Sequence, residues 1–128
     1  MSDPGSADGF DRVRQVGLAL PGVEAATKYD GSPVLKLGGC FMAGLATHRS
    51  AEPGMLVVRF RIDERHLLIE DAPETYYLTD HYRSHPIVLV RLSLLDRDAL
   101  SGLLFVSWRL TAAKAGRAAR SGSHAPQR

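Results

Sequence analysis

The chain has one cysteine, Cys40, in 128 residues, so an internal disulfide is excluded and a reducing compartment is expected. No apolar run approaches the ~20 residues of a membrane-spanning helix, so no membrane partner is expected. Residues 1–25 carry Asp3, Asp8, Asp11, Arg12 and Arg14 and lack the apolar core of a signal peptide, which points to the cytoplasm. There is no G-x-S-x-G, no phosphate-cradling glycine loop and no H-E-x-x-H. Cys40 has no histidine assigned to it by any motif, and Asp30 in "KYDGSP" reads as a turn residue. A protein without catalytic residues and without a cofactor is therefore expected.

What is present is globular. The apolar fraction is 45% and the charged fraction 23%. A chain of this size can bury roughly two thirds of its unfolded surface without disulfides or metal. The formal charge of +2 is unevenly placed. Beyond Ala112 stand Lys114, Arg117, Arg120 and Arg128 with no acid, which leaves 12 cations against 14 acids in residues 1–112. Residues 1–8 read as a disordered N-terminus, 9–113 as a single domain, and 114–128 as a basic disordered tail rich in Gly, Ser, Ala and Pro.

Phe10, Val13, Val16, Gly17 and Leu20 share one helical face after Gly9, with Asp8 as cap, and Pro21-Gly22 ends the helix. From Pro33 the period becomes two. "PVLKL" puts Leu35 and Leu37 inward, Gly38-Gly39 makes a tight turn, and "CFMAGLA" returns with Phe41, Ala43 and Leu45 inward. "MLVVRFR" directs Leu56, Val58 and Phe60 inward and Val57, Arg59 and Arg61 outward. A short helix over 64–70 capped by Asp63, a strand "YYLT", and a strand "IVLVRL" with Val88, Val90 and Leu92 inward come next. A final helix over 97–113 has Asp96 as cap. Its stripe is Leu100, Leu103, Leu104, Ser107, Trp108 and Thr111, widened by Phe105 and Val106.

The order α-β-β-β-α-β-β-α with short connections predicts an α+β domain. An antiparallel sheet of about five strands carries helices on one face and leaves the other at least partly open. That open face would display Lys36, Arg59, Arg61 and Arg91 among Met42, Val57, Ile87 and Leu89. The edge loops would add His48, Arg49, His81, Tyr82, Arg83 and His85. Residues 28–61 hold five cations against Asp30 and Glu52, so this part of the chain is positive. Such a surface could seat phosphates, with Tyr82 stacking on a base. Long side chains keeping their charges wet on an ordinary sheet would look the same. His81 and His85 are spaced like a metal pair, but Pro86 follows in a loop and four ligands are wanting, so no metal is expected.

"LALPGVE", "SPVLKLGGCFMAGL", "APETYYLTDHYRSHPIVLVRL" and "WRLTAAKA", in that order over about residues 10–115, resemble the MmcQ/YjbR family of small bacterial proteins. The resemblance implies a CyaY-like α+β fold with a double-wing motif and DNA binding. The wings would be the loops bearing His48 and Arg49 and the loop from His81 to His85. Family members often carry arginine-glycine-lysine at the first hairpin turn, where Gly38, Gly39 and Cys40 stand here, and Gly44 occupies a later basic position. A weaker grip on phosphate is implied. Frataxin-like iron binding wants an acidic first helix, whereas residues 9–20 hold Asp11 against Arg12 and Arg14. The expectation is a monomer that binds DNA non-specifically by phosphate contacts. The alternative is a protein-interaction or small-ligand module using the apolar residues of the same face.

Overall fold

The computed structural model describes residues 7–52 and 54–124. Helix α1 (Ala7–Leu18) buries the stripe its spacing predicts: Phe10 and Val13 are 1% and 0% exposed. Burial of each is worth roughly 1.5–3 kcal/mol. The helix starts two residues before Gly9, so Asp8 lies in its first turn rather than at its cap. Gly17 lets it lie close to the sheet, since a Cβ there would fall 2.4 Å from Leu35 Cδ1.

Residues 23–27, which sequence patterning left without an element, form strand β1 (Val23–Thr27). Glu24, Ala25 and Ala26 are weak strand formers. Pairing with β2 (Pro33–Leu37), from Val23 opposite Leu37 to Thr27 opposite Pro33, makes the strand. The hairpin from β2 to β3 (Cys40–Leu45) turns at Gly38 and Gly39, whose φ values of 58° and 79° are both left-handed, as a type I′ turn requires.

The sheet continues through β4 (Leu56–Arg59), β5 (Tyr76–Tyr77) and β6 (Ile87–Val90) in the order β1-β2-β3-β4-β6-β5, with every pair antiparallel. Helix α2 (Arg65–Asp71), a 3₁₀ turn (Leu92–Leu94) and helix α3 (Arg97–His124) complete the chain. Among the described residues the architecture is α+β, with a six-stranded antiparallel sheet and three α-helices. The sequence reading missed β1, and β3, β4, β5 and β6 are each shorter than it drew them. Asp63 does not cap α2. Its carboxylate is taken by Arg61, and the N-cap residue is Glu64.

A bulge corrects the facing of β3. Leu35 pairs with Ala43 but Lys36 pairs with Phe41, so Met42 is the extra residue. An inserted residue reverses the alternation on one side of itself. Met42 therefore sits in the helix-side core, fully buried, and Phe41 turns to the opposite face. Ser107 Oγ donates to the Met42 carbonyl at 2.9 Å and fixes the irregular peptide to α3.

The helix-side core joins Leu35, Met42, Leu56, Val58, Val88 and Val90 to Phe10, Val13, Leu100 and Leu104, and Leu68 and Ile69 of α2 pack against it. Asp96 caps α3, its Oδ1 accepting from the Ala99 amide at 2.8 Å. Trp108 is half-buried and donates from Nε1 to the Pro21 carbonyl at 2.9 Å. Phe105 and Val106 do not widen the buried stripe; they are 46% and 40% exposed. α3 also runs beyond Ala113 to His124, so residues 114–124 are helical, not a disordered tail. The Ala and Arg residues there are strong helix formers. The remainder of the expected tail, 125–128, and residues 1–6 lie outside the described residues.

The second face of the sheet is not open. Ala51, Met55, Val57, Ile87 and Leu89 form a second core there, with Phe41, Ala46, Tyr77, Leu78 and Tyr82 packed on it. Two loops are folded over this face and stitched together. Ser50 Oγ lies 2.8 Å from Thr79 Oγ1, the Glu52 amide donates to the Tyr77 hydroxyl at 3.1 Å, and the His48 amide donates to the Tyr82 hydroxyl at 3.3 Å. Met42, Val57, Ile87 and Leu89, expected as exposed apolar contacts, are all buried. No helix among the described residues is long and apolar enough to cross a membrane.

Candidate functional site

The bulge and the loop cover leave a cleft of about 440 Å³ on the second face of the sheet. Strand alternation supplies its floor: Phe41 from β3, Val57 and Arg59 from β4, and Ile87 from β6. The loop before β6 supplies one wall with His81, Tyr82, His85 and Pro86. Lys28, from the turn after β1, and Lys114, from the extension of α3, close the rim. The volume lies in the range of small-ligand sites, ~300–1,000 Å³. The lining holds three full cations, two imidazoles and no carboxylate. An adjoining depression of about 400 Å³ shares Arg59, Pro86 and Lys114 and adds Arg61 and Arg117.

Arg59 is the central cation. Its Nε donates to the Phe41 carbonyl at 2.9 Å, using one of the five N–H donors of a guanidinium. No carboxylate among the described residues pairs with it. Partial burial holds its pKa below the usual guanidinium range, against an opposing electrostatic contribution from Cys40. The group stays charged at neutral pH. It is a partly desolvated cation with donors to spare, which is the arrangement an incoming anion completes. Lys28 uses one N–H on the Leu45 carbonyl at 3.3 Å.

The wall is held by Arg65, which the sequence reading passed over. This side chain is 6% exposed, and its guanidinium donates to the carbonyls of Arg83, His85 and Ile87. Burial and the nearby Arg83 lower its pKa. A buried cation satisfied by carbonyls alone fixes the backbone that presents His81, Tyr82 and His85 to the cleft.

The other expected contacts are dispersed. His48 stacks on His81, with ring centroids 3.5 Å apart and planes 5° apart, and Tyr82 meets both rings edge-on. The Ser50 amide donates to His48 Nδ1 at 3.0 Å, so that nitrogen is an acceptor and the ring is neutral. Desolvation, then His81 and Arg49, lower the His48 pKa. Arg49 is exposed on the covering loop, outside the cleft. Lys36 stands opposite Glu24 on β1, also outside it. Arg61 is held by Asp63 at 3.2 Å and Glu64 at 3.5 Å, which raises its pKa. Arg83 pairs with Asp80 at 3.5 Å. Arg91, beyond the far end of β6, binds both oxygens of Glu52 and the Glu74 carbonyl and lies over the Tyr77 ring.

Of the ten residues singled out by sequence, the cleft thus gathers Arg59, His81, Tyr82 and His85. His81 and His85 have centroids 6.3 Å apart, and no group of three or more metal-ligating side chains occurs among the described residues. Lys28, Phe41, Pro86 and Lys114 are the lining residues that sequence reasoning missed. Comparison of the chain with protein-family models, with curated proteins and with solved structures returns no match in any of the three.

Proposed function

We propose that this protein is a non-enzymatic DNA-binding module of the MmcQ/YjbR type, with a CyaY-like arrangement of sheet and helices, working in the cytoplasm. Phosphate binding is concentrated in the cleft instead of spread over a sheet face. The observation that carries this reading is the convergence of Lys28, Arg59 and Lys114 on one concavity with no carboxylate in its lining. Arg61, Arg83 and Arg91 contribute less, because each already has an acidic partner. His81, His85 and Tyr82 form the adjacent wing. Nothing in this arrangement reads base edges, so contacts position the nucleic acid without selecting sequence.

The test is fluorescence-anisotropy titration of labelled DNA at several salt concentrations. About three neutralised phosphates predict a slope of log K against log salt of roughly −2 to −3. Absence of binding at low salt, or a Kd indifferent to salt, overturns the proposal. A second reading, a small organic anion as ligand, draws on the size and apolar floor of the same cleft. It predicts saturable binding of that anion in competition with DNA.

A further inference from the structure

Resting on that reading, we infer that the cleft takes single-stranded DNA and receives one unstacked base together with its phosphate. Duplex DNA offers a convex row of phosphates, with its bases stacked inside. Such a ligand would touch the cationic rim but leave the apolar interior empty. The interior is built for something flat and apolar. Phe41 is turned into it by the bulge at Met42, Val57 and Ile87 form the floor, and Tyr82 stands in the wall. The cations lie on the same cleft: Arg59 shares the floor, and Lys28 and Lys114 close the rim. A nucleotide has the matching division, a planar ring beside a charged phosphate. Single-strand binders combine these two elements, an aromatic platform and a cationic track. The adjoining depression, with Arg117 and Lys114, continues the positive track for the next phosphate.

The experiment compares a labelled 12-mer single strand with the duplex of the same sequence, against full-length protein at fixed low salt. The single strand is expected to bind at least tenfold tighter. Phe41→Leu, which keeps apolar bulk but removes the ring, is expected to weaken the single strand about tenfold and the duplex less than twofold. A thermal melt of the variant establishes that it is folded. Should it melt below the assay temperature, Tyr82→Leu with the same readout takes its place. Equal or tighter binding of the duplex overturns the inference while leaving the proposed DNA-binding function standing. Failure of both DNAs to bind defeats that function and the inference together. A nucleoside monophosphate serves as the third arm. Weaker binding than the strand supports a strand as ligand; binding as tight as the strand assigns the cleft to free nucleotide and overturns it.

Discussion

Replacement of Arg65 by methionine removes the guanidinium that ties down the wall of the cleft and keeps most of the side-chain volume. Three carbonyl acceptors lose a charged donor. The bond to Ile87 is buried, and an acceptor left dry costs about 1–3 kcal/mol. The carbonyls of Arg83 and His85 are reachable by water, so each adds about 0.5–1 kcal/mol. Relief of the burial of an unpaired charge offsets part of this. A net loss of about 2–4 kcal/mol follows, a large share of the ~5–15 kcal/mol typical of a domain. Urea unfolding followed by circular dichroism should show the midpoint falling by about 1–3 M for an m-value near 1.5–2 kcal/mol/M. Amide exchange should accelerate most in the backbone from Asp80 to Ile87, where the Tyr82, His85 and Ile87 amides close short turns. A change in stability below about 0.5 kcal/mol, with native exchange through that loop, would refute the assignment of Arg65 as the loop's anchor.

Gly38→Ala should destabilise more than Gly39→Ala in the same unfolding assay. Both positions have positive φ and lose about 1 kcal/mol, but only a Cβ at Gly38 would meet Ala115 of α3, at 2.9 Å. Equal losses would show that the extension of α3 does not rest on the hairpin. Ser107→Ala should cost about 1 kcal/mol through the orphaned Met42 carbonyl, read as a shift in urea midpoint. The lowered pKa of His48 means the unfolded chain binds more protons than the folded one. Stability should therefore be full above the ordinary imidazole value of about 6.5 and decline as pH falls below it, and His48→Asn should flatten that decline in melts from pH 8 to 5. An unchanged pH profile in the variant would contradict it.

The strongly periodic parts of the chain were legible before the structure. Asp96 announces α3, the alternation from Met55 to Arg61 places Val57 and Arg59 on one face and Leu56 and Val58 on the other, and the double glycine at 38–39 specifies its own turn. Phe41 and Met42 were misplaced because nothing in "CFMAGL" signals a bulge. The extra residue is imposed by pairing with β2 and by Ser107, 65 positions away. β1 escaped notice because its residues acquire strand character from a partner. The covering of the second face depends on hydroxyl contacts from Tyr77 and Tyr82 to distant amides, which no local pattern encodes. Lys114 and Arg117 were assigned to a tail by composition, although the same alanines and arginines favour a continued helix. The four singled-out residues that line the cleft lie on β4 and in the loop before β6. The cations that complete it come from distant turns and helices.

The central claim, phosphate binding in this cleft, is most directly tested by the salt dependence of DNA affinity in Lys114→Gln beside Lys36→Gln. The first lines the cleft and the second stands on β2 outside it. Lys114→Gln should weaken binding and reduce the salt slope by about 0.7–0.9, and Lys36→Gln should leave both unchanged. Equal effects of the two substitutions, or an effect of Lys36→Gln alone, would contradict the account.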